Sequence, residues 1–130
     1  MNTRYGFGKK VALAFDQAIE CVTAELQKEG FGVLTDIDVS ATMKKKLDED
    51  MPPYRILGAC NPKLAHQAMT AEPSIGLLLP CNVVVRQDAA GAVFVEFMDP
   101  AAVLQLVDNP NIEPLAATVR GKLERVMQAI

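Results

Sequence analysis

"PPYRILGACNPKLAHQAM", residues 52–69, contains a complete predicted strand and the start of a predicted helix. Two prolines interrupt regular structure, and residues 54–59 then have the composition of a strand. Asn61 is a favourable N-cap and Pro62 suits the first helical position, so a helix is expected to begin there. Cys60 lies between the two elements. The stretch therefore predicts a strand–helix unit with a thiol at its junction.

The hydrophobic pattern of the remaining chain predicts both helices and strands. Helices are predicted over residues 16–29, 41–47, 100–107 and 112–130, and strands over residues 33–39, 75–85 and 92–98. The segment "RQDAAG" between the last two strands is typical of a hairpin turn. This order predicts a single α+β domain over residues 1–130, with one mixed sheet covered by helices on one face.

Composition excludes several classes of partner and compartment. Thirteen basic and sixteen acidic residues give a net charge of -3, which argues against a nucleic-acid-binding surface. The most apolar region, residues 75–85, is too short to span a membrane, and the N-terminus lacks a signal-peptide core. Three cysteines are an odd number, so a disulfide framework is not expected. We expect a cytoplasmic domain, and the 50% hydrophobic content predicts a homodimer.

Two groups of ionisable or thiol side chains have alternative interpretations. Asp36 and Asp38 lie two residues apart on a predicted strand, where they could bind a cation or exchange protons. A solvated sheet face explains them equally well. Glu96, alone within its strand, is typical of an exposed face, and Cys21 is typical of a packing residue on a helix.

The sequence resembles a bacterial protein family along nearly its entire length. The segments that carry the resemblance are "EGFGVLTDIDV" (29–39), "PPYRILGACNPKLAHQAM" (52–69), "IGLLLPCNVVV" (75–85) and "MDP" (98–100). They are similar to the family called domain of unknown function 302. The resemblance implies a small α+β fold similar in plan to a TATA-binding-protein half-repeat, often as a homodimer, and it implies no particular activity. The family's recurring positions match Gly30, Asp38, Cys60, Asn61, Pro62, His66, Pro80, Cys81, Asn82 and Asp99–Pro100.

The same segments suggest where a site would lie. If the strand at residues 54–59 and the strand beginning at Ile75 run parallel across a right-handed crossover, Cys60 and Cys81 lie at one end of the sheet. His66, the single histidine of the chain, is one turn into the intervening helix and so belongs near that end. The predicted ligand-binding residues are Cys60, Asn61, His66, Cys81 and Asn82.

The chemistry of this set allows more than one function. A helix N-terminus favours a thiolate at Cys60, and two thiols with an imidazole, from Cys60, His66 and Cys81, suit zinc or another transition metal. However, the spacing is not C-x-x-C and no fourth ligand is evident, so purely structural roles stay open.

No nucleophile elbow, P-loop or dinucleotide fingerprint is present. We predict a non-enzymatic binding or sensing domain for a metal or small ligand near Cys60. The alternative is a thiol-based redox or metal-dependent enzyme that uses Cys60.

Overall fold

Five strands form one sheet in the computed structural model, which describes residues 2–130. The strands are β1 (Gly6–Val11), β2 (Gly32–Asp38), β3 (Tyr54–Cys60), β4 (Cys81–Gln87) and β5 (Val93–Met98). Their order across the sheet is β1-β5-β4-β3-β2, and every neighbouring pair is antiparallel. The predicted α+β class is confirmed. The expected mixed sheet is wrong, because no pair of strands in the described part of the chain is parallel.

The segment between β3 and β4 explains why these strands are antiparallel. Residues 75–85 were expected to form one strand, but Pro73–Leu78 is a 3₁₀ helix and β4 begins only at Cys81. Proline cannot donate a ladder hydrogen bond, so Pro80 is unsuited to a central strand. After helix α3 (Pro62–Ala71), the 3₁₀ helix returns the chain to the end of the sheet where β3 finishes. β4 therefore starts beside the end of β3 and runs back along it.

Two long helices cover one face of the sheet. The helices are α1 (Phe15–Lys28), α2 (Val39–Leu47), α3 (Pro62–Ala71), α4 (Pro100–Val103) and α5 (Glu113–Ala129), with a second 3₁₀ helix at Leu104–Val107. Leu26 of α1 and Leu123 of α5 are fully buried against Val83, Val85 and Val95 of the sheet. These two long helices therefore lie on one face of the sheet, as predicted. None of the helices within residues 2–130 is long and apolar enough to cross a membrane.

A β-bulge alters the predicted alternation of β2. Its register with β3 shifts between Val33 and Thr35, so the intervening Leu34 is 68% exposed. An extra residue in one strand reverses the faces of the residues that follow it. Val33 therefore packs against the core, whereas Ile37, expected on the same face, is 49% exposed.

Candidate functional site

Cys60 and Cys81 lie at the same end of the sheet. Cys60 is the last residue of β3 and Cys81 is the first residue of β4. Ala59 pairs directly with Cys81 across the two strands. Cys60 is half-buried, whereas Cys81 is buried. The structure thus brings the two thiols near each other, as expected, although the strands that carry them are antiparallel.

An apolar cavity lies beside these two thiols, and we call it the Cys60 pocket. Its volume is about 50 Å³. It lies where α3 and α5 meet the end of the sheet, at the boundary between two clusters of buried apolar side chains. Its lining is Phe31, Ala59, Cys60, Asn61, Leu64, Ala65, Ala68, Leu79, Pro80, Cys81, Pro100, Leu104, Ile112, Leu115, Ala116 and Val119. Apart from Asn61 and the thiols, these side chains are entirely hydrocarbon, so the pocket offers mainly dispersion contacts.

Asn61 has a clear structural role at the wall of the Cys60 pocket. Its Oδ1 accepts a hydrogen bond from the backbone N–H of Leu64 at 3.3 Å, which caps α3 as the sequence predicts. Its amide nitrogen also packs against Gly30, where an added Cβ would lie 3.0 Å away. Part of the Asn61 amide is therefore used by the fold, and the rest of the side chain lines the pocket.

The other two predicted ligand-binding residues lie elsewhere. His66 is exposed on α3, while Ala68 of the same helix is buried and Leu64 and Ala65 line the pocket. Asn82 is exposed on the sheet face opposite the one that buries Cys81. The five predicted residues thus do not form one cluster. Both positions follow from local periodicity, because His66 is off the apolar stripe of its helix and successive strand residues point to opposite faces.

The geometry of the thiols does not present a metal centre. Within residues 2–130, no group of three or more His, Cys, Asp or Glu side chains is placed to hold a metal ion. Burial raises the pKa of the Cys81 thiol to about 11, and the nearby Cys60 adds to this effect. Since the thiolate is the form that binds metals, a metal would have to displace the proton of the Cys81 thiol at neutral pH. The zinc hypothesis for Cys60, His66 and Cys81 therefore gains no support from their arrangement.

The paired carboxylates of β2 have structural partners. Asp36 accepts a hydrogen bond from Arg55 Nε at 2.7 Å, and this interaction lowers the pKa of Asp36. Asp38 accepts from the backbone N–H of Ala41 at 3.0 Å and so caps α2. That hydrogen bond, together with one from the Ser40 hydroxyl, lowers the pKa of Asp38. An ion pair and a helix cap account for both side chains.

A second cavity, the open-face groove, lies around Asn82, Val84 and Glu96 on the sheet face opposite α1 and α5, and it also reaches Phe7 and Phe97 of the core and Val103 of α4. Its volume is about 330 Å³, and its lining is Thr3, Tyr5, Gly6, Phe7, Tyr54, Asn82, Val84, Glu96, Phe97, Met98 and Val103. Sequence reasoning placed Asn82 beside the thiols and missed this groove. The alternation of β4, in which Val83 and Val85 are buried while Asn82 is exposed, was the signal that could have separated the two faces.

The comparisons with known proteins agree on the family and the fold. The family model described as domain of unknown function DUF302 matches residues 7–130. A similar solved structure is the crystal structure of an uncharacterized conserved DUF302 protein from Bacillus stearothermophilus. That protein is 25% identical to this chain, and the two structures align with a TM-score of 0.90 over 98% of each chain. No curated protein matches the chain. The resemblance stated from the sequence is confirmed, and it names no activity.

Proposed function

Because the chain belongs to the family of domain of unknown function DUF302, whose description names no reaction, we propose a function from the site alone. The domain is a non-enzymatic binding or sensing domain that receives the apolar end of a small ligand in the Cys60 pocket. The observation that carries this proposal is that Cys60, Asn61 and Cys81 line one apolar cavity. Three of the five predicted ligand-binding residues thus line one cavity, which supports the proposal.

The size and lining of the pocket define the part of a ligand that fits. Its volume of about 50 Å³ is several times the roughly 10–15 Å³ that one water needs, but its apolar lining offers a water few hydrogen-bond partners. A small hydrocarbon group that enters the pocket therefore gains dispersion contacts and displaces only weakly held water. A larger ligand would leave its polar part outside, near the half-buried Cys60.

The enzyme alternative requires a reactive thiol at Cys60. The raised pKa of Cys81 favours binding over a two-thiol redox reaction, because a protonated thiol is a weak nucleophile. Alkylation of the native protein by iodoacetamide at neutral pH distinguishes a binding domain from a thiol enzyme. The Cys60→Ser variant is the blank. We expect Cys60 to react more slowly than an unstructured cysteine peptide. Faster alkylation than the peptide would favour the enzyme.

Xenon is a suitable probe of the pocket, because it binds apolar cavities without needing polar contacts. We expect xenon under pressure to shift the NMR methyl signals of Ala65 and Leu79, which line the pocket. The variant Ala116→Leu places a larger side chain into the cavity and should abolish these shifts. Ala117→Leu is the matched control, because Ala117 is exposed on the same helix.

The xenon experiment can contradict the proposal in two ways. Unchanged methyl signals in the unmodified protein would show that the pocket does not admit an apolar group. Equal shifts in Ala116→Leu and Ala117→Leu would place xenon elsewhere. Because Ala116 is only 4% exposed, overpacking could unfold the first variant. Ala65→Leu, at a half-buried position of the same lining, is the second filled variant.

A homodimer is the assembly that we propose for this domain. β2 is an edge strand, and its side chains Leu34 and Ile37 are exposed. Antiparallel pairing of two such edges across a twofold axis would satisfy their free backbone groups. Light scattering should then give twice the chain mass of 14.1 kDa, and Leu34→Lys with Ile37→Lys should give the monomer. A monomeric unmodified protein at micromolar concentration would contradict the assembly.

The cytoplasm is the compartment that we propose. The cysteines of the chain, Cys21, Cys60 and Cys81, are all unpaired, which is compatible with a reducing compartment. Fractionation of cells that express a tagged chain tests this location. Recovery of the protein outside the cytoplasm would contradict it.

A further inference from the structure

The open-face groove has the dimensions of a small-molecule site. Its volume of about 330 Å³ falls within the roughly 300–1,000 Å³ that is usual for such sites. It shares no lining residue with the Cys60 pocket. The turn at the N-terminus forms part of its wall and is held by hydrogen bonds from Thr3 N–H to Gly6 O and from Asp99 N–H to Tyr5 O. The groove is therefore separate from the Cys60 pocket, and hydrogen bonds hold part of its wall.

The electrostatics of the groove favour an uncharged ligand. Among the described residues that line it, Glu96 is the one with a charged side chain. Arg86 Nε donates to Glu96 Oε1 at 2.6 Å, and the Arg86 guanidinium also lies 4.5 Å from the centroid of the Phe94 ring. The carboxylate is thus already neutralised by a neighbouring cation. Neither a cationic nor an anionic ligand would find an uncompensated opposite charge there.

The polar groups of the groove favour a flat ring with hydrogen-bonding edges. Asn82 is exposed, and its side-chain amide makes no hydrogen bond to any other described residue. An asparagine amide presents a donor and an acceptor side by side. Tyr5 and Tyr54 add two aromatic rings to the lining, and Val84 and Met98 add apolar contacts. Aromatic rings stack on planar ligands, and a paired donor and acceptor read the edge of a nitrogen heterocycle.

We propose that the open-face groove binds an uncharged, planar nitrogen heterocycle. The Asn82 amide bonds to the donor–acceptor edge of the ring, and Tyr5 or Tyr54 lies against its plane. Discrimination between related heterocycles comes from Asn82, because only a ring edge with a donor and an acceptor side by side can bond to both groups of the amide. A nucleic-acid chain does not fit this description, since no Lys or Arg lines the groove in residues 2–130 and phosphate binding needs such cations.

The test uses adenine, uracil and lumichrome as probes in calorimetric and NMR titrations of the full chain. At least one should bind and shift signals of Val84 and Met98, which line the groove. Asn82→Ala should weaken binding about five- to tenfold through loss of a hydrogen bond. Of the variants Tyr5→Leu and Tyr54→Leu, at least one should weaken binding about tenfold through loss of stacking. Asn111→Ala, at an exposed asparagine in a distant turn, should bind as the unmodified protein does.

Four results would overturn the proposal. The first is that none of the three heterocycles binds at millimolar concentration. The second is that Asn82→Ala, folded by its thermal melt, binds a probe as tightly as the unmodified protein. The third is that the shifts appear at Ala65 and Leu79 of the Cys60 pocket. The fourth is that adenosine monophosphate binds more tightly than adenine and that its binding weakens with added salt. This result would show that the groove binds an anion.

Discussion

Removal of the Cys81 thiol should make the protein more resistant to alkaline unfolding. Cys81 is 6% exposed, and burial raises its pKa from 9.0 to about 11. The folded state therefore keeps the thiol protonated at a pH where the unfolded chain has already released the proton. The raised pKa stabilises the folded state at pH values below the pKa of the thiol in the unfolded chain. This contribution is lost as the pH rises from about 9 toward 11.

The size of this loss follows from the shift. Each pKa unit corresponds to about 1.4 kcal/mol. A difference of two units therefore lowers the free energy of unfolding by at most about 2.7 kcal/mol, at a pH above the pKa of Cys81 in both the unfolded and the folded state. At about pH 10.5 the expected loss is about 2 kcal/mol, because the folded-state thiol is still mostly protonated. Cys81→Ala lacks this titration. It should be less stable by about 1 kcal/mol at about pH 8, since it leaves a small cavity.

Urea unfolding of both proteins at about pH 8 and about pH 10.5 measures the effect. The difference in unfolding free energy between the unmodified protein and Cys81→Ala should change by about 2 kcal/mol between the two pH values. Lysines and tyrosines titrate in the same range, but they are common to both proteins and cancel in the difference. A difference that is the same at both pH values would refute the reasoning, because Cys81 would then not titrate with a raised pKa.

Three further substitutions test contacts within the fold, each by urea unfolding. Asn61→Ala should cost about 1 kcal/mol, because the cap on the N–H of Leu64 is lost; an unchanged midpoint would contradict the cap. Gly58→Ala should destabilise β3, since its Cβ would lie 2.2 Å from Thr35 Oγ1, and Thr35→Ala in the same chain should restore part of the loss; no rescue would contradict this contact. Leu123→Ala should cost about 3–5 kcal/mol, because Leu123 is fully buried, and a loss below about 1 kcal/mol would contradict its place in the core.

Local signals in the sequence predicted α3 well. Its start depends on Asn61 and Pro62, whose capping and backbone preferences act over one turn. The end of α1 is similar, because Gly30 there has a φ of +86° that most residues avoid. Such features need no knowledge of the rest of the fold. They were therefore visible before any tertiary contact was known.

Tertiary packing determines the structure of the segment for which the sequence-based prediction was wrong. Residues 75–85 are apolar throughout, and an apolar run of that length does not distinguish a buried strand from a packed helical turn. Ile75 is buried with Leu104 and Ile112 in a separate cluster away from the main core, which draws the 3₁₀ helix off the sheet. The parallel crossover depended on residues 75–80 being a strand. The two thiols lie together because the 3₁₀ helix returns the chain to the end of the sheet where β3 finishes. The expected parallel crossover also placed them at one end, but for a different reason.

The likeness to a TATA-binding-protein half-repeat and the absence of nucleic-acid binding stay predictions. The first is a statement about fold plan, and the similar solved structure is a DUF302 protein. The second depends on the acidic balance of the chain. A gel-shift assay with duplex DNA tests it, and a salt-sensitive, sub-micromolar affinity would contradict it.

The strand β4 explains why the candidate site could not be read as one cluster. Cys81 and Asn82 are adjacent in sequence, but successive strand residues point to opposite faces, so Cys81 lines the Cys60 pocket and Asn82 lines the open-face groove. The sequence analysis therefore assigned to one site two residues that line different surfaces. One surface is apolar and contains thiols, and the other is more polar and contains aromatic rings. A ligand found on one face says nothing about the other. Cys81→Ala and Asn82→Ala, one residue apart, are for this reason the pair of variants that assigns any observed binding to its face.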